Sequence, residues 1–236
     1  MLAPLAIVAR YVFDLNETIL FVLAAAALVP LAWLIGEATE HAAEHTGPGI
    51  GGFLNASFGN APELIIALFA IADALPGVVR GSLTGSVVSN ILLVLGAAMI
   101  AGGDGDVDAR SLRWQLGAVF GAVVLIAIPS ALAWGGGSHE RHSLFVLSVP
   151  ISIVLLAAYL FITVRNLRIH RAAERPEARA GSWSLRRSLV ALGIATVVTA
   201  FVSEILVHSL DHFGRAVGLD EFFIAVVIVA IVGNAA

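Results

Sequence analysis

The chain has 236 residues, 59% of them hydrophobic and 13% charged, with a mean hydropathy of +0.95 and a formal net charge of −4. A soluble domain of this length has no core large enough to take up so much apolar surface, so the composition specifies an integral membrane protein. Cysteine is absent, which excludes disulfides and thiolate metal sites, and all 13 basic residues are arginine, the usage of a GC-rich bacterial gene whose product would sit in the inner (cell) membrane.

Taken in chain order, Leu2–Val12 is apolar but too short to cross a bilayer and lacks the basic flank of a signal peptide. It reads as the tail of a further helix or as a surface segment. Spans are expected near Ile19–Ala43, Ile50–Leu75, Ser82–Ala101, Leu112–Trp134, Leu144–Val164, Leu185–His208 and from Glu221 to the end, seven in all. The fold class is therefore an all-α polytopic membrane protein. The stretch Arg165–Arg187 between the fifth and sixth spans holds seven of the 13 arginines, and Arg110 and Arg113 add to the same side. Arg10, Arg80, Arg141 and Arg215 fall on the other side, so the arginine-rich side is cytoplasmic. Residues 166–184, with Pro176 and Gly181, form the linker that divides the chain. Beside membrane spans, this basic cluster reads as a topology signal and a partner for anionic lipid, not as a nucleic-acid site.

One carboxylate breaks the second span. Glu63 is the fourteenth of the 26 residues from Ile50 to Leu75, which puts it near the bilayer midplane. A charge there costs about 2.5–3.5 kcal/mol on insertion scales, so it is expected to face the bundle interior and to have a function. Asn60 lies three residues earlier, on the same face of a continuous helix. Pro62 removes the amide hydrogen that the Phe58 carbonyl would otherwise bond. Carboxylate, amide and freed carbonyl oxygens are what a hard cation such as Ca²⁺ takes, six to eight at a time, so one helix cannot complete the site. The bland alternative is a protonated Glu bonded to a neighbouring helix.

The third span carries Ser82, Ser86 and Ser89/Asn90 as one polar stripe, with Gly81 and Gly85 as a small-residue pair for close packing. Serines in membrane helices commonly bond back to their own backbone, whereas Asn90 together with Glu63 points to ligation. At the end of the chain Gly233-Asn234-Ala235 repeats Gly59-Asn60-Ala61. Upstream of each stands an acid, Glu40 in "ATE" and Glu204 in "VSE", and with Glu37 these form an expected cytoplasmic vestibule. By the span count the two "GNA" helices run in opposite directions, the pattern of an inverted-repeat secondary transporter.

The segments "GGFLNASFGNAPELIIALFAI", "GSLTGSVVSNILLVLG" and "FFIAVVIVAIVGNAA" resemble the signature helices of the Ca²⁺/H⁺ antiporters, the CAX branch of the cation/Ca²⁺ exchanger superfamily. The resemblance covers essentially the whole chain. It implies two inverted five-helix repeats: an N-terminal segment 1–17, a first repeat 18–165, the linker 166–184, and the start of a second repeat at 185–236, where the sequence reads as truncated. It further implies Ca²⁺ and H⁺ as substrates, no cofactor, and a metal set of Glu63, Asn60, Ser86, Asn90 and Asn234. A proton and a cation would compete for the same carboxylate oxygens. Exchange of Ca²⁺ for Na⁺, as in a sister branch, stays open from spacing alone.

Three other motifs have weaker claims. "HAAEH", His41–His45, matches the H-x-x-E-H of inverted zinc peptidases, with His41, Glu44 and His45 as the candidate machinery. No third ligand is evident, so a transporter and not an enzyme is expected. "DGDVD", Asp104–Asp108, imitates an EF-hand start but puts Ala109 where the loop needs Gly. "GPGIGG" satisfies a dinucleotide pattern without a preceding strand and reads as a turn between helices.

Overall fold

A backbone in hydrocarbon must satisfy its own polar groups, and a chain this apolar does so with helices. The structure, a computed structural model, describes residues 2–13, 15–102, 109–133, 141–170 and 182–234, and helix is the regular structure throughout them. The "DGDVD" stretch and the centre of the linker lie outside the described residues. Among the described residues five helices are long and apolar enough to cross a membrane: Glu17–Gly47, Ile50–Ala72, Pro76–Gly102, Ser148–Arg165 and Leu185–Val217. Shorter apolar helices, Leu116–Ile128 and Glu221–Gly233, fall where the fourth and seventh spans are expected.

The chain divides into two compact units, one of Met1–Ala101 with His170–Ala236 and one of Gly102–Ile169. The smaller unit carries α6 (Ala109–Ala133) and α7 (Arg141–His170), the latter with Pro150 in its interior. The larger unit begins with α1 (Leu2–Tyr11), tied by Arg10 to Glu17 at 2.6 Å. Then comes α2 (Glu17–Phe58), whose start is capped by Asn16 accepting from the Thr18 amide at 2.8 Å. At Gly47 the backbone takes φ 80°, ψ 168°, a conformation that side chains disfavour, and the expected turn of the "GPGIGG" stretch is made there. Beyond it Gly51 closes against Ala43, where an added Cβ would come 2.5 Å from the alanine methyl.

The central helix α8 (Leu185–Val217) runs antiparallel to the first half of α2. Phe21 stacks on Phe213 with centroids 4.2 Å apart, Ile35 and Ala38 pack with Leu192 and Ala195, and His41 stacks on Trp183 at 5.0 Å. The single second span expected is present as Ile50–Ala72, with a local interruption after Phe58. It breaks at Gly59-Asn60 and restarts as α3 (Ala61–Ala72), with Pro62 in its first turn. Pro is suited to that place because the first turn's amides have no helical acceptor. Phe58 packs beside the Leu192 cluster and Asp73 lies 4.0 Å from His208, so α3 runs parallel to α8.

A turn at Asp73–Leu75 leads to α4 (Pro76–Ser89), a π turn (Asn90–Val94) and α5 (Leu95–Gly102). The C-terminal helix is built as α9 (Glu221–Ile224), a second π turn (Ala225–Val229) and α10 (Ala230–Gly233). Its partner is α4, and the seam is made of small residues. A Cβ on Gly81 would come 2.7 Å from that of Ala225, and one on Gly85 would come 2.6 Å from that of Ala230. The numbering rises together on both sides of the seam, so α4 and the C-terminal helix are parallel. Because α3 is antiparallel to α4, the two "GNA" helices oppose one another, as expected.

Gly85→Ala should therefore destabilise the fold by about 1–3 kcal/mol, because neither the Ala230 methyl nor the Val226 backbone behind it can yield. Gly193→Ala on α8, with nothing within 4 Å of the added methyl, should not. Thermal unfolding of both variants in detergent checks this, and equal melting temperatures would refute the seam.

Candidate functional site

Glu63 occupies the third position of α3, in the turn where unpaired backbone amides give the helix a partly positive end. Glu63 is 5% exposed, and both carboxylate oxygens are buried without a well-formed hydrogen bond, with its own backbone amide and the Ser86 hydroxyl nearby. An ionisable group left so in an apolar bundle is costly and marks a functional position. The helix break supplies this location. A carboxylate in the middle of a continuous helix would lack the first-turn amides around it.

Opposite Glu63 stands the second "GNA" motif. The α-carbon of Gly233 abuts the carboxylate so closely that an added Cβ would lie 3.2 Å from Cδ and Cγ and 3.3 Å from Oε1. Asn234 follows, its amide nitrogen donating to Ser86 Oγ at 3.2 Å and to the carbonyl of Ala230 at 2.9 Å. Asn60 repeats this local geometry, its amide donating to the carbonyl of Ala56 at 2.9 Å, again four residues back. The backbone angles agree as well, φ −103°, ψ 11° at Asn60 and φ −88°, ψ 14° at Asn234. In each motif the asparagine ends a helix by bonding the last turn's carbonyl with its own side chain. The amide oxygen is thereby left as the side chain's open end.

Of the five expected ligands, the structure gathers Glu63, Ser86 and Asn234. Asn60 is exposed and forms the N-cap of α3, three residues before Glu63, with its carbonyl accepting from the Leu64 amide at 3.1 Å. Asn90 is also exposed. The buried face of α4 runs through Val78, Gly81, Ser82, Gly85, Ser86 and Ser89, and Asn90 lies beyond its edge on the side of Leu83 and Val87. Ser89 takes the inward place, with a buried and unpaired hydroxyl. Thr199 and Ser203 on α8 are likewise buried and unpaired, whereas Thr39, Thr46, Ser188, Thr196 and Ser209 bond back to their own helix. Which hydroxyls depart from that habit has no signal in the sequence.

Glu37 and Glu40 line a cavity of about 480 Å³ between the two halves of α2, together with Trp33, Thr39 and Asn55. Glu204 is not among its lining residues and is exposed on α8. The "HAAEH" histidines are engaged otherwise than a zinc pair would be. His41 lies between Glu37 at 3.4 Å and Glu44 at 3.5 Å and stacks on Trp183, over which Arg187 sits at 4.5 Å. His45 Nδ1 pairs with the His41 carbonyl at 2.9 Å. Among the described residues no group of three His, Cys, Asp or Glu is arranged to hold a metal ion.

Comparison with known proteins agrees with this architecture. The sodium/calcium exchanger protein family matches residues 16–168. The Ca(2+)/H(+) antiporter ChaA of Bacillus subtilis (strain 168) is 38% identical over 232 residues, 93% of this chain and 65% of its own length. The Ca(2+)/H(+) antiporter of Aphanothece halophytica is 34% identical over 94% of this chain and 65% of its own. The chain thus spans about two thirds of the length of these curated relatives. The solved structure of native YfkE is similar with a TM-score of 0.81 and 33% identity, covering 99% of this chain and 67% of that one. A second structure of that protein, TM-score 0.80, is described as a Ca2+/H+ antiporter. This chain, an all-helical integral membrane protein, belongs to the sodium/calcium exchanger family, on the side of its Ca²⁺/H⁺ antiporters.

Proposed function

We propose that the full-length protein exchanges Ca²⁺ for H⁺ across a membrane by alternating access, with Glu63 as the carboxylate that holds the cation and the proton in turn. The observation that carries this reading is the buried Glu63 carboxylate, without a well-formed hydrogen bond and facing Gly233, with Ser86 and Asn234 beside it. The names of the relatives supply the substrates.

The chemistry follows from the donors. A carboxylate, a hydroxyl and an amide oxygen are hard ligands suited to Ca²⁺, and they leave room for water and further oxygens in its shell. When the ion leaves, an unpaired charge in an apolar bundle is costly, so the site takes up a proton before it reorients. That condition makes exchange obligatory, because an empty, ionised site does not cross between its two open forms. Asn60 and Asn90, exposed in this conformation, would join as the helices shift. In this reading residues 18–165 form the first repeat, 185–236 begin the second, and the arginine-rich linker 166–184 is cytoplasmic, with Glu37 and Glu40 collecting cations at the inner mouth.

Reconstitution in proteoliposomes tests the proposal. A pH gradient should drive Ca²⁺ uptake without Na⁺, and Glu63→Gln in the full-length gene product should reduce that flux to background. Near-normal exchange in this variant would refute the assignment of Glu63, and flux that requires Na⁺ would move the coupling ion to sodium. Proton competition adds a second expectation: the half-saturating Ca²⁺ concentration should rise as pH falls. Affinity independent of pH would show that the proton and the cation do not share the carboxylate.

A further inference from the structure

We propose that Gly233 is a positioning residue of the cation site: its bare α-carbon is the wall against which the Glu63 carboxylate rests, and it sets the room left for the ion. The proposal rests on the cation-binding reading of Glu63.

The contact is specific to the carboxylate. Around Gly233 the three nearest atoms to an added Cβ are Cδ, Cγ and Oε1 of Glu63, at 3.2, 3.2 and 3.3 Å. Around Gly81 and Gly85 they are alanine methyls, backbone atoms and a Phe222 ring carbon of the C-terminal helix. Those two glycines let helices approach; Gly233 lets a functional side chain approach a backbone. The carboxylate has little freedom to retreat, because it is buried in the first turn of α3, beside Pro62. Gly233 is also fixed, because the next residue, Asn234, is bonded to Ser86 and to Ala230. A methyl at position 233 must therefore displace the carboxylate by a few tenths of an ångström and take volume from beside it.

Selectivity among hard cations depends on cavity size and ligand number, so the loss should grow with ionic radius. In the full-length protein Gly233→Ala should weaken Ca²⁺ by roughly tenfold and weaken Sr²⁺ and Ba²⁺ further, so that preference tilts towards the smaller ions. The experiment is a competition series of Mg²⁺, Ca²⁺, Sr²⁺ and Ba²⁺ in proteoliposomes, on wild type, Gly233→Ala and Gly85→Ala, with melting temperature and size-exclusion profile as the folding readout. Gly85→Ala strikes the helix seam only, so it should lose stability and keep the wild-type order of ions.

Wild type that moves no divalent cation would overturn the transport reading and this proposal with it. Wild type that exchanges Ca²⁺, with an unchanged ion order in Gly233→Ala, would overturn the role of Gly233 alone. So would the same change of order in Gly85→Ala, which would make the effect one of general packing. If Gly233→Ala is not recovered as monodisperse protein, the double variant Glu63→Asp/Gly233→Ala decides. Shortening the carboxylate by one methylene withdraws it from the added methyl, so the double variant should be recovered. Failure of both would place the clash elsewhere and refute the proposal.

Discussion

A carboxylate in an apolar bundle without a well-formed hydrogen bond is the constraint around which the larger unit is arranged. Glu63 can be kept there because the helix that would have carried it through has been broken and restarted just before it. The restart gives the carboxylate first-turn amides, and Pro62 occupies a place where a missing amide hydrogen matters least. The neighbours are then selected by size and polarity. Gly233 leaves space against the carboxylate, Ser86 and Asn234 are joined beside it, and α4 is held close to the C-terminal helix by Gly81 and Gly85. Each of these residues is small or amide-bearing, and none adds a second charge to the described part of the site.

The two asparagines show how each of these helix ends is capped. A helix that ends inside a membrane leaves carbonyls without donors and has no water to satisfy them. Asn60 and Asn234 each answer this with a side-chain amide bonded four residues back, at the same 2.9 Å and with nearly the same backbone angles. The motif is therefore a self-contained way to cap a helix end while presenting an amide oxygen. Its use in two segments that run in opposite directions is what relates the halves of the larger unit to one another.

Much of this was legible in the sequence. An acid within an apolar run names its own importance, because only a function or a partner offsets its cost, and Glu63 is where the structure builds its buried polar site. The repeat of "GNA" pointed to Asn234, and the glycines after His45 pointed to the turn at Gly47. What escaped the sequence was angular and long-range. Ser86 and Asn90 are four residues apart and share a face in principle. Which half of that face is buried is decided by the neighbouring helix, and the boundary falls between them. Continuous hydropathy concealed the break at Gly59-Asn60, since apolar residues stand on both sides of it. The fit of Gly233 to Glu63 and the stack of His41 on Trp183 join distant parts of the chain, and periodicity carries no record of such pairs.

The two asparagine caps have a consequence for the sense of the proposed transport. Asn60 and Asn234 each bond a carbonyl four residues back, on helices that run in opposite directions. A site assembled from such halves has no built-in arrow, and the machinery around it can only choose when it opens. For the exchange proposed for the full-length protein, net direction would then be a property of the two gradients and of the number of charges carried each way, so the same molecule would load or empty a compartment according to where the cell places it and how it energises that membrane.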